Sequence, residues 1–155
     1  MTELNLPSYD VRTTERAGKE VVYDPFRDKY VRLTPEEWVR QHFLQYLTRE
    51  LAVPRGLVAV EQKVVVNDQP QRADVVVYDR QGEPLLLVEC KAPGSAIGQA
   101  TFDQSARYNE VLGAPFLVVT NGLDHYACRI DLEARTVAFL DDLPSYTVLL
   151  DERTS

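Results

Sequence analysis

The chain has 155 residues, 45% of them apolar, and carries 24 acidic against 17 basic side chains for a net charge of −7. That length suits one domain with its own core and is too short for a second large one, and the acidic balance argues against tight, non-specific nucleic-acid binding by the chain alone. No basic start leads into an apolar run and no apolar stretch is long enough to cross a bilayer, so a cytoplasmic protein is expected, with no membrane partner. Cys90 and Cys128 lack a zinc-ligand pattern and read as two reduced thiols.

Residues 1–33 are polar and irregular and suggest an N-terminal arm, extended or made of short strands, packed on a main domain at 34–145. The sequence Thr34-Pro35-Glu36-Glu37 is a helix start: Thr34 as N-cap, proline at the first helical position, glutamate three residues past the cap. The helix should run to about Leu51, with Val39, Phe43, Leu44 and Leu47 on one broad apolar side, and end at Pro54 and Gly56. Valine-rich Leu57–Val66 predicts a strand, and Asn67-Asp68-Gln69-Pro70 a turn. The segments from Arg72 to Tyr78 and from Pro84 to Lys91 predict a second and third strand around a tight turn. After a loop from Ala92 to Gly98, a helix is expected at 99–112, closed by Gly113. Pro115–Thr120 reads as a buried strand, with further strands at His125–Ile130 and Thr136–Leu140 and a peripheral tail at 146–155. Antiparallel strands joined through a helix to another buried strand imply an α/β fold, a mixed sheet flanked by helices.

Centring the hairpin loop between Gln81 and Gly82 sets Asp79 opposite Pro84 and Asp74 opposite Glu89. Alternation along a strand then puts Glu89 and Lys91 on one side and Val88 and Cys90 on the other. Opposed Cβ atoms are roughly 4.5–5.5 Å apart, a separation at which two carboxylates destabilise the sheet unless a cation lies between them. Lys91 supplies part of that charge, and a hard divalent ion with oxygen ligands fits better. Such an ion orients a phosphodiester and acidifies water, which makes phosphodiester hydrolysis the reaction the pattern suits. An ordinary surface hairpin is the competing reading; the apolar runs Val75–Val77 and Leu85–Val88 oppose it, because charge at the end of a buried strand is costly.

An acidic residue on one strand followed by Glu-x-Lys on the next resembles the signature of the PD-(D/E)xK nuclease superfamily. The runs Leu33-Thr-Pro-Glu-Glu-Trp-Val-Arg-Gln-His-Phe, Arg72-Ala-Asp-Val-Val-Val-Tyr-Asp, Leu87-Val-Glu-Cys-Lys-Ala-Pro, Phe102-Asp-Gln-Ser-Ala-Arg-Tyr-Asn and Val119-Thr-Asn-Gly resemble the N-terminal nuclease domain of type I restriction enzyme R subunits. The resemblance spans about residues 20 to 145. It implies a restriction endonuclease-like α/β/α sandwich that cleaves DNA with Mg²⁺, for which Mn²⁺ substitutes. Asp74, Glu89 and Lys91 match the catalytic positions, and a first-helix glutamate matches the upstream acidic residue. By helical phase Glu36 and Arg40 lie near the middle of the apolar side, whereas Glu37 suits a capping box with Thr34, so Glu36 is preferred. Asp74, Glu89 and Glu36 are thus the expected metal ligands. Gln104 and Tyr108 match a Gln-x-x-x-Tyr motif, share a helix face with Val111 and Leu112, and are expected to turn inward. Ala73 stands where the superfamily name has proline, and the chain contains no Gly-x-x-x-x-Gly-Lys-Ser/Thr phosphate loop, so DNA translocation would fall to a motor or DNA-binding partner. A homodimer is left open.

His42 and His125 read as structural, and Trp38, Phe43, Tyr46, Phe116 and Phe139 as core or core-edge aromatics. Lys63, Arg72 and Arg107 are candidates for phosphate contacts, or simply solvated. A non-catalytic subunit that kept the fold and the site residues is the second functional reading.

Overall fold

In the computed structural model, which describes residues 2–153, the segment before the first helix is an antiparallel meander. Strands β1 (Thr13–Arg16), β2 (Lys19–Asp24) and β3 (Lys29–Arg32) make a three-stranded sheet, so of the two forms expected for this arm the short strands are realised. Helix α1 (Pro35–Arg49) follows, capped by Thr34, whose Oγ1 accepts the Glu37 N–H at 3.1 Å. Strands β4 (Val58–Val66), β5 (Gln69–Tyr78) and β6 (Pro84–Cys90), helix α2 (Gln99–Leu112), strands β7 (Phe116–Thr120), β8 (His125–Asp131) and β9 (Thr136–Leu140), and helix α3 (Tyr146–Glu152) complete the chain.

The main sheet has the order β4-β5-β6-β7-β8-β9 and is antiparallel except between β6 and β7. Helix α2 makes that parallel connection, as a parallel pair requires. One face of the sheet packs α1 through Val39, Phe43 and Leu47 against Val75, Val77, Leu86 and Val88. The other packs Phe102, Tyr108 and Leu112 of α2 against Val76, Leu87 and Val119. The result is the expected α/β/α sandwich.

Four readings need correction. The turn begins at Asn67 as expected but is shorter: Asn67 and Asp68, with φ angles of 50° and 63°, form the left-handed pair of a two-residue hairpin, and Gln69 and Pro70 lie within β5. Proline is tolerated there because β6 pairs with β5 only from Val75 onward, so on that side no ladder bond is lost. At the next hairpin Val75–Val88, Val76–Leu87 and Val77–Leu86 pair in the predicted register, but a shift after Val77 sets Tyr78, not Asp79, opposite Pro84. Asp79 instead organises the turn, its Oδ1 accepting the N–H groups of Gln81 and Glu83 at 2.9 and 2.8 Å. The segment read as a peripheral tail carries α3, whose Tyr146 and Leu149 are buried in the α1-side core; residues 154 and 155 of that segment lie outside the described residues. Phe139, placed at the core edge, is 63% exposed on the outermost strand and stacks edge-on with Phe102.

Cys90 and Cys128 are free and buried in opposite layers, which keeps them from pairing.

Candidate active site

Strand alternation breaks where the acidic pair stands. Ala73 packs in the α2 layer, yet Val75, two residues on, packs in the α1 layer. Across from Asp74, between the pairs Val60–Val75 and Gln62–Ala73, Glu61 holds a left-handed φ of 54°. The local distortion gives Asp74 access to both β6 and α1. Its Oδ2 accepts the Cys90 N–H at 2.7 Å, and its Oδ1 lies 3.5 Å from Arg40 Nη1.

Glu89 follows Val88, the last residue of β6 paired with β5, and its carboxyl lies within reach of the Asp74 carboxylate. It is 6% exposed, and its Oε1 is buried without a hydrogen-bond partner among the described residues. Burial, and then the Asp74 carboxylate, push the Glu89 carboxyl up from 4.5 to about 8, against the opposing pull of Lys91 and Arg40. Asp74 is also raised by burial, but the Cys90 N–H, Arg40 and Lys91 favour its ionised form. Near neutral pH the pair therefore tends to hold one proton between its two carboxyls. Val88 and Cys90 face α1, as alternation required. Lys91 lies just past the end of β6, half-buried, with its N–H donating to Thr120 O at 2.8 Å and its charge acting on both carboxyls.

Of the two first-helix glutamates it is Glu37, not the expected Glu36, that turns inward. Glu36 is exposed on the cleft rim, whereas Glu37 is 5% exposed and points inward. The capping-box argument failed because only half of the box forms. Thr34 receives the Glu37 N–H, but the Glu37 carboxylate takes bonds from Arg27, Arg40 and Gln41 instead of reaching back. Burial would raise the Glu37 carboxyl, yet the Arg40 guanidinium holds it below the usual range. With its oxygens bonded this way, Glu37 is no ready third metal ligand. Among the described residues no cluster of three or more His, Cys, Asp or Glu is arranged to hold an ion, which leaves the Asp74–Glu89 pair.

Gln104 and Tyr108 are not brought to that pair. Gln104 is exposed, because the inward stripe of α2 runs through Phe102, Ser105, Tyr108, Asn109 and Leu112, and Val111 faces solvent at 54% exposure. Both residues line a groove against the far end of the β4–β5 hairpin, beside Val66, Gln69 and Gln71.

Sequence reading missed Arg27, Glu61, Thr120 and Asn121 as parts of the site, and noted Arg40 only for its inward phase. Thr120 O fixes the Lys91 backbone, and Asn121 Nδ2 donates to Ser95 O at 2.8 Å, tying down the loop that leaves the site. His42 and His125 are structural as read, bonded to Trp38 O and to Thr120 Oγ1.

Comparison with known proteins gives the chain its family and fold. The family model for the type I restriction enzyme R protein N terminus matches residues 35–144. The type I restriction enzyme EcoAI endonuclease subunit of Escherichia coli is 33% identical over 104 residues, which are 64% of this chain and 13% of that protein. This chain thus spans a small part of the length of its curated relative. The fragment structure described as an HsdR subunit of a type I restriction enzyme from Vibrio vulnificus YJ016 aligns over 79% of this chain and 25% of its own, with a TM-score of 0.58 and 23% identity. The fold is restriction endonuclease-like, and the chain belongs to the family of type I restriction enzyme R protein N-terminal domains.

Proposed function

We propose that this domain hydrolyses DNA phosphodiester bonds in a Mg²⁺-dependent reaction, at Asp74, Glu89 and Lys91. One observation carries the reading: a buried glutamate oxygen without a partner stands beside a second carboxylate at the end of a central strand. A buried carboxyl oxygen left unpaired in that position is costly, and a cation meeting it would relieve that cost. Two carboxylates are the usual protein share of a Mg²⁺ site, and Mn²⁺ would be accepted by the same oxygens.

Asp74 and Glu89 would hold the ion, which supplies positive charge for the phosphate oxygens and acidity for water. Glu89 must first give up its proton, and the charges of Lys91 and Arg40 favour that loss. Lys91, two residues beyond Glu89, would orient the attacking water or neutralise charge on the phosphate as the P–O bond to the leaving oxygen breaks.

A second reading has its own support. The net charge of −7, the exposed position of Gln104 away from the acidic pair, and the small share of the E. coli subunit that is matched favour a domain that works with a motor or DNA-binding partner.

Linear, circular and single-stranded DNA incubated with Mg²⁺ or Mn²⁺ separate the two. The nuclease reading expects cleavage by the wild type that falls at least about 100-fold in Lys91→Ala and Glu89→Ala. Intact DNA at high protein concentration would overturn it in favour of the partner-dependent domain.

A further inference from the structure

We propose that Arg40 is the positioning residue of the acidic site, aimed at Asp74 by a chain of ion pairs that begins in the small N-terminal sheet. The proposal rests on the reading of Asp74 and Glu89 as cation ligands.

The chain alternates in sign. Asp24, at the end of β2 and wholly buried, binds Arg27 Nε at 2.5 Å. Arg27 Nη2 reaches Glu37 Oε1 at 2.9 Å. Glu37 in turn grips Arg40 at two points, Oε2 taking Nε at 2.9 Å and Oε1 taking Nη2 at 2.5 Å. Arg40 Nη1 then faces Asp74 Oδ1 at 3.5 Å.

Planarity makes this an aiming device. A guanidinium held at Nε and Nη2 has no freedom left for Nη1, so the Glu37 grip fixes where Arg40 points. A lysine keeps the charge and cannot reproduce the fork. Asp74 then has one oxygen set by the Cys90 N–H and the other faced by Arg40 at a distance longer than a hydrogen bond, which leaves lone pairs for a cation.

Glu61 adds an independent sign of function. Its left-handed backbone is unusual for a non-glycine residue within a strand, and the conformation brings Oε1 to 3.1 Å from Arg40 Nη2. Glu61 thereby adds a further hold on Arg40, at the same Nη2 that Glu37 binds. The outer links, Asp24 at the end of β2 and Arg27 in the turn after it, precede the span matched by the family model, and through their ion pairs the small sheet is tied to Glu37.

Mn²⁺ titration by calorimetry of wild type, Arg40→Lys and Glu61→Gln, with thermal midpoints measured without metal, decides the matter. Lost aim with charge retained should weaken Mn²⁺ affinity about 10-fold in Arg40→Lys, and roughly 3-fold in Glu61→Gln, whose side chain is 38% exposed and whose midpoint should move by only a few degrees. On cleaved DNA the loss should appear in kcat with KM unchanged. Unchanged or tighter Mn²⁺ binding in the variants, with normal binding by the wild type, overturns the positioning role alone. If Arg40→Lys fails to fold, Glu61→Gln decides by the same criterion. Absence of Mn²⁺ binding by the wild type overturns the metal site itself, and the positioning role with it.

Discussion

Glu89 is destabilising when ionised without a cation, since burial and the Asp74 charge both oppose its carboxylate. Its folded pKa of about 8 exceeds the ordinary 4.5, so the stabilisation from its protonated form is complete below about 4.5 and is lost as pH rises toward 8. Metal-free wild type should therefore lose stability across that window, and Glu89→Gln, neutral throughout, should show a flatter profile and exceed the wild type at pH 8.5 by about 1–3 kcal/mol. Urea denaturation at several pH values without divalent ions measures this; parallel profiles would show that Glu89 does not carry the extra proton. The proximity of Asp74 and Glu89 was legible in the sequence, because the neighbouring pairs Val75–Val88, Val76–Leu87 and Val77–Leu86 keep the predicted register despite the shift nearer the turn. The choice between Glu36 and Glu37 was not. Local capping chemistry and helical phase pointed to Glu36, and the deciding partner, Arg27, comes from a turn ten residues upstream.

At the scale of elements, α2 shows how a helix end can matter more than its polar motif. The Asn109 side chain donates to Ala114 O at 2.8 Å and accepts the Ala114 N–H at 2.9 Å, closing the helix where Gly113 takes a φ of 74°. Both bonds are buried, so Asn109→Ala should destabilise the domain by about 2–3 kcal/mol, measured as a lower denaturation midpoint. A loss below about 0.5 kcal/mol would mean that water replaces both bonds. The bounds of α2 were readable from Gly98 and Gly113. Its rotation was not: a polar helix of this kind carries too few apolar side chains to fix its inward stripe, and packing on Val76, Leu87 and Val119 turned Gln104 outward.

For the whole molecule, two sheets and α1 converge on one cleft lined by Arg27, Glu36, Glu37, Arg40, Glu61 and Asp74. If the acidic pair binds a divalent ion only when folded, Mn²⁺ at 100 times its Kd should stabilise the protein by about 2.7 kcal/mol. A thermal shift assay at pH 8 checks this, and the shift should vanish in Glu89→Gln; an equal shift in that variant would place the ion elsewhere. No helix among the described residues is long and apolar enough to cross a membrane.

What the sequence determined by itself was whatever depends on neighbours along the chain or across a short turn. Thr34 starts α1, the valine-rich runs form central strands, the hairpin brings Asp74 near Glu89, and Lys91 follows two residues after Glu89. Only the tertiary structure decided the contacts that join distant segments. It buried Glu37 between Arg27 and Arg40, bent β4 at Glu61 toward the site, moved Gln104 away from it and packed α3 into the core. Local periodicity specifies which side of an element is apolar; which charged groups meet across the interior depends on how sheets and helices dock, and no short window of sequence contains that information.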